Sequence, residues 1–140
     1  MNIRPFEEAD AEVVSALWTS VFAYPAPHNQ PARIIRDKLA CQRDLFFVAL
    51  VDGILAGTVM GGYDGHRGWV YSLAVAPQAR RRGVGTALMR HLERELALRG
   101  CPKINLQLLA SNAGTVAFYR QLGYAVEERI SMGKILGAPS

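Results

Sequence analysis

The chain has 140 residues, a formal net charge of +4 and half of its residues hydrophobic. That length suits one domain, residues 1–140, with a single core, and no apolar run approaches the roughly 20 residues that a membrane span needs. Most of the positive charge is arginine and no basic run is interleaved with aromatics, so the excess suits a small anionic ligand or a solvated surface, and a nucleic acid is not the expected partner. Cys41 and Cys101 form no CxxC pair and suggest no metal site. They read as reduced thiols, and the chain opens on strand-like residues rather than a signal peptide, so the expected location is cytoplasmic.

Residues 2–6 read as a first strand. Asp10 is placed to cap a helix with Val13, Val14, Leu17, Trp18 and Val21 on its inner side. The proline-rich stretch from Phe22 to Gln30 is a loop, and Pro31 opens a second helix bearing Ile34, Ile35, Lys38 and Leu39. Leu45 to Val51 is a strand. Asp52-Gly53 is a two-residue hairpin signal, and Ile54 to Met60 returns as its partner. Gly61 to Gly68 is a glycine-rich connection, read as another hairpin, into a central strand from Trp69 to Ala76 that ends at Pro77.

Val84, Leu88, Leu92 and Leu96 then recur every fourth residue, with Arg90, Glu93, Arg94 and Arg99 between them, which predicts a long amphipathic helix stopped by Gly100 and Pro102. Lys103 to Leu109 reads as a strand, Asn112 to Leu122 as a helix and Tyr124 to Ser131 as a strand. Met132 to Leu136 adds a short last strand before a frayed tail. This order is α/β with a mostly antiparallel sheet.

The chemistry shows at the turn before the long helix. Gly83 and Gly85 remove side chains where backbone N–H groups have no intrahelical partner and the helix dipole adds partial positive charge. A phosphate fits there, beside Arg80, Arg81 and Arg82. A dinucleotide fingerprint would need Gly or Ala where Leu88 stands, and the Gly-Lys-Ser/Thr of a P-loop is absent.

Arg80-Arg81-Arg82-Gly83-Val84-Gly85, after a strand ending in Val-x-Pro, resembles the acetyl-CoA-binding signature of the GNAT superfamily of N-acetyltransferases. Asn112 to Tyr124, with Tyr119 and Leu122-Gly123-Tyr124, is similar to that family's second motif. The two occur in order, and the resemblance covers nearly all of the chain. Through Gly61 to Gly68 and Gly100 to Ile104 it extends to a subgroup of small bacterial acetyltransferases whose substrates are poorly defined.

The resemblance implies the GNAT architecture: a mixed, mostly antiparallel sheet of six to seven strands with four helices, in which the central strand and the next one splay apart. The pantetheine arm of acetyl-CoA would lie in that gap and pair with the half-free edge of the central strand at Leu73, Ala74 and Val75. By the same resemblance Arg80, Arg81, Arg82, Gly83, Val84, Gly85 and Thr86 hold the donor phosphates. At least one of the three arginines reads as merely solvated. Asn112 would hydrogen-bond CoA, and it equally suits a helix N-cap. The backbone N–H of Val75 would serve the oxyanion. Tyr119, a phenol of ordinary pKa near 10, would protonate the leaving thiolate; packing on its helix is the competing account.

The general base is less defined. Many family members carry a glutamate on the central strand, where this chain has Trp69, Tyr71 and Ser72. A related branch has one five residues before the motif asparagine, where Gln107 stands here. His66, Asp64, His28 and a water held by Tyr71 are the candidates, with Asp64-Gly65-His66 reading first as turn chemistry. The acceptor, an amine of a small molecule or peptide, would meet the loop from Tyr24 to Gln30. No metal and no membrane are implied, and a homodimer stays open. A non-catalytic acyl-CoA-binding regulatory module of the same fold is the alternative, and turnover separates the two.

Overall fold

Asp52 and Gly53 both take positive φ, +53° and +77°. Two left-handed residues make the turn that matches strand twist, and they join β2 (Phe46–Val51) to β3 (Ile54–Tyr63). The computed structural model describes residues 1–22, 30–109 and 112–137. The chain divides into two units, Met1–Gln107 and Leu108–Ser140.

In the first unit β1 (Asn2–Pro5) runs antiparallel to β2, and β4 (Gly68–Val75) antiparallel to β3. β5 (Ile104–Asn105) joins parallel to β4, giving the sequential order β1-β2-β3-β4-β5. The helices of this unit are α1 (Ala11–Val21), α2 (Pro31–Leu39) and α3 (Val84–Leu98). Period-two alternation divides the core. Phe46 faces α1, stacking on Phe6 at 4.3 Å and on Trp18 at 5.8 Å. Its neighbour Phe47 faces α3 and meets the ring of His91 edge-on at 4.5 Å.

The sheet is smooth where α3 lies on it. Val84, Leu88, Leu92 and Leu96 are all buried, and the sheet offers them glycines. A methyl group on Gly61 would come 2.5 Å from Leu92 Cδ1, and one on Gly68 would come 3.1 Å from Leu96 Cδ1. At Gly57 the clash is with backbone as well: 2.8 Å to the Ala74 carbonyl of β4, and 2.9 Å to Val84 Cγ1. Gly57→Ala is therefore expected to cost about 1–3 kcal/mol, a drop in Tm of several degrees. Gly62→Ala, whose nearest atoms would be Gln42 Oε1 at 3.5 Å and Tyr71 Cε2 at 3.7 Å, should cost less than about 0.5 kcal/mol. Equal melting curves for the two variants would refute this packing account.

Several sequence expectations need correction. Asp10 does not cap α1 through its side chain. Its carboxylate takes both guanidinium nitrogens of Arg4, at 2.8 and 2.9 Å, together with the Glu7 N–H at 2.9 Å. The Arg4 hydrogen bonds hold its pKa below the usual carboxylate range. Two charge-assisted bonds outcompete one cap. Val13 is on the outer side of α1, half exposed, while Val14, Leu17 and Trp18 are buried.

The sheet has five strands among the described residues, not six to seven. The strand expected over 103–109 shrinks to Ile104–Asn105. The strands expected over 124–131 and 132–136 do not form, and Val126, Ile130, Met132, Ile135 and Leu136 are exposed. Alternating apolar residues make a segment able to become a strand, but a strand also needs a ladder partner. In the second unit the regular element among the described residues is α4 (Ala113–Gln121). With α4, the described residues hold four α-helices, as expected.

Candidate active site

β4 lies in mid-sheet at its start and at an edge for the rest of its length. Its parallel pairing with β5 covers Gly68 and Trp69, opposite Ile104 and Asn105, and goes no further. On the other side β3 accompanies it to Val75. Ala74 stands opposite Thr58, and the Ala76 N–H donates to the Ala56 carbonyl at 2.8 Å. Neighbouring peptide groups of a strand point to opposite sides, so Val75 turns its N–H and C=O away from β3, toward the edge that β5 leaves open. Between Met60↔Tyr71 and Thr58↔Ala74 the strand β4 carries one residue more than β3. This is a β-bulge, and Ser72 within it has φ +51°.

After β4 a 3-10 turn, Pro77–Ala79, leads to the loop before α3. Arg81 (φ +66°) and Gly83 (φ +76°) are both left-handed. For arginine that conformation costs about 1–2 kcal/mol. Gly83 is the N-cap of α3 and gives it no side-chain hydrogen bond. The first bond within the helix runs from the Ala87 N–H to the Gly83 carbonyl, 3.0 Å. The N–H groups at the start of α3 therefore lack a helical acceptor. Arg80, Arg81 and Arg82 are exposed, and none has a side-chain partner among the described residues. Val84 is buried while Thr86 is exposed, so the open end of the helix presents backbone N–H groups, with three exposed arginines just before it in the chain. It is a concentrated site of positive potential with room for an anion.

In the second unit Asn112 is the N-cap of α4 by position, and its Oδ1 accepts the Thr115 hydroxyl at 2.7 Å. Tyr119 is buried, its ring edge-on to Phe118 at 5.0 Å and to Tyr124 at 5.8 Å. Burial pushes its phenol up to about 12.

The profile of the acetyltransferase (GNAT) family matches residues 12–124. This chain belongs to the GNAT acetyltransferase family. An acetyltransferase of Yersinia enterocolitica is 43% identical over 136 residues, spanning 97% of this chain and 96% of its own. One of Pectobacterium atrosepticum is 44% identical over the same shares. Among solved structures, Ard1 from Thermoplasma volcanium superposes with a TM-score of 0.80 at 26% identity, over 90% of this chain and 83% of that one.

Within this GNAT chain the turn, Val75 and the open edge belong to one continuous stretch of the first unit. The base candidates fare differently. Asp64 Oδ1 accepts the N–H groups of His66 and Arg67, each at 2.8 Å. Those bonds hold its pKa down, which makes it a poor proton acceptor. Asp64 and His66 also sit in the turn before Gly68, and β4 spans about 20 Å from there to Val75. His28 and the loop from Tyr24 lie outside the described residues, apart from Gln30. Tyr71 is half exposed beside Gly62, and burial together with Asp64 raises its pKa. Among the described residues no group of three or more His, Cys, Asp and Glu is placed to hold a metal, and no helix is long and apolar enough to cross a membrane.

Sequence reasoning missed what holds the bulge. The Trp18 indole N–H donates to Thr58 Oγ1 at 2.8 Å, and that hydroxyl donates to the Ser72 carbonyl at 2.9 Å. A signal was present: a threonine amid Ala56, Gly57, Val59 and Met60. A fully buried hydroxyl needs partners, but which ones only the fold decides.

Proposed function

We propose that this GNAT protein transfers an acetyl group from acetyl-CoA to a primary amine of a small molecule or peptide, directly within a ternary complex. The observation that carries the reading is the turn before α3, where left-handed Arg81 and Gly83, N–H groups without a helical acceptor and three arginines with no side-chain partner among the described residues occur together. Strain of that kind persists where function uses it, and the group that answers this arrangement is a phosphate. Residues Arg80 to Thr86 hold the donor phosphates through backbone N–H groups, and the arginines add charge. Leu73, Ala74 and Val75 pair with the pantetheine amides as a sheet edge pairs with an added strand. Asn112 hydrogen-bonds CoA from the start of α4.

The amine nitrogen attacks the thioester carbonyl carbon. The Val75 N–H stabilises the resulting oxyanion. The C–S bond breaks, the thiolate receives a proton from Tyr119, and the nitrogen loses its own to a base. With Asp64 and His66 remote from Val75, the base is a water held by Tyr71 or His28. An acceptor of low pKa, such as an α-amino group near 7.7–8.0, needs less help than a lysine near 10.4. Free Cys41 and Cys101 suit a cytoplasmic protein, and the family match across both units suits one functional domain over residues 1–140.

Calorimetric titration of acetyl-CoA into the purified protein tests the reading. Saturable binding, followed by turnover in a screen of amines, supports it. A folded protein that does not bind acetyl-CoA refutes it, and binding without turnover on any amine would assign the protein to acyl-CoA sensing instead.

A further inference from the structure

Thr58 is fully buried in the middle of an apolar strand, and it is the buried polar residue of the described core. Its hydroxyl joins α1 to β4 through two short bonds, 2.8 Å from Trp18 Nε1 and 2.9 Å to the Ser72 carbonyl. The direction of the chain is fixed. An indole N–H can only donate, so Thr58 Oγ1 accepts from Trp18 and its single proton goes to Ser72. The carbonyl it reaches belongs to the residue at φ +51°, where β4 gains one residue on β3.

That extra residue resets the alternation of the strand. In a bulge-free pairing the register of β4 beyond Tyr71 would slip by one, and every peptide group there would point to the opposite side. Ala74, not Val75, would then present its N–H to the open edge. A serine does not adopt positive φ unprompted, and the bond from Thr58 is what the structure supplies to hold it there.

We propose that Trp18 and Thr58 are positioning residues for the acyl end of the donor: their hydrogen-bond chain fixes the β4 bulge and so turns the Val75 peptide group to the open edge. This rests on the acetyl-CoA reading of that edge. Neither residue touches the reacting atoms. Both act through the Ser72 carbonyl.

Thr58→Val keeps the shape and removes the hydroxyl, and Thr58→Ser restores it. The comparison is the Kd of each protein for acetyl-CoA and for adenosine 3′-phosphate 5′-diphosphate, which shares the phosphates but lacks the pantetheine and acetyl groups that would meet the β4 edge. The expected result is a rise of about tenfold in the acetyl-CoA Kd of Thr58→Val, with the phosphate fragment affected less than about twofold and Thr58→Ser close to the wild type on both. Amide exchange at Leu73 to Val75 should quicken in Thr58→Val alone. Equal losses for both ligands, no loss, or a Thr58→Ser variant as impaired as Thr58→Val would overturn the proposal. If Thr58→Val does not fold, Trp18→Phe, which leaves the hydroxyl but frees it to rotate, carries the same comparison to the same criteria. A wild-type protein that binds neither ligand removes the acetyl-CoA reading itself. A wild-type protein that binds, with unchanged variants, removes only this inference.

Discussion

Replacing Tyr119 by phenylalanine is expected to lower kcat by about 10²–10⁴-fold, the usual scale of general acid catalysis, and to change acetyl-CoA affinity less than about twofold. The ring packing against Phe118 and Tyr124 survives the change, so the variant should fold and bind. What it loses is the O–H. Burial holds that phenol at about 12, so it stays protonated across the neutral range, as the proposed donor to a departing sulfur must be. The sign of the shift gives a second expectation. A pKa raised on folding means that stability is fully present below the unfolded value near 10 and is lost as pH climbs from there through about 12. Tyr119→Phe should remove that alkaline fall, seen in denaturant midpoints measured from pH 9 upward. The wild-type rate should likewise keep its acid-dependent step up to about pH 10 or beyond. An unchanged kcat would leave Tyr119 as a packing residue, the competing account of the same side chain.

Gly83→Glu is expected to weaken acetyl-CoA binding by about 100-fold or more while leaving the fold intact. Open space surrounds this position, with nothing within 4 Å of an added Cβ. Two effects on stability oppose each other. A side chain at φ +76° costs about 1–2 kcal/mol, and a carboxylate at a helix N-terminus returns about 0.3–1 kcal/mol. The net is small. For binding, the same carboxylate stands where a phosphate would, before the same N–H groups. Gly83→Ala separates the two causes, because it carries the conformational cost without the charge. It should weaken binding by less than about tenfold. Calorimetry on both variants, repeated at higher salt, is the check, and a Gly83→Glu protein that binds normally would mean that the anion site lies elsewhere.

What the sequence made legible is what is decided within a few residues. The Asp52-Gly53 turn, the helix opened by Pro31, the stripe from Val84 to Leu96 and the glycine-arginine turn are local choices of backbone or periodicity, and the structure contains each of them. Residues 124–136 carry an equally clear local pattern, yet form no strand, because pairing depends on a partner that periodicity does not name. Asp10 departs from its expected role for a related reason: its side chain suits a cap, and Arg4, six residues away, binds it instead. In the site the same division holds. Glycines and arginines mark the turn, whereas Trp18 and Thr58 are 40 residues apart and Thr58 and Ser72 are 14 apart, distances over which side-chain chemistry has no period to follow.

The glycines under α3 also have a mechanical consequence. The four ribs of the helix rest in three notches: Val84 and Leu88 at Gly57, Leu92 at Gly61, Leu96 at Gly68. A helix seated in this way cannot slide along its axis without driving its ribs into strand backbone, and close-packed interiors yield little. A pull on the Gly83 end therefore passes into β3 and β4 rather than being taken up by slippage, and the helix and the two strands respond to it as a single stiff lever.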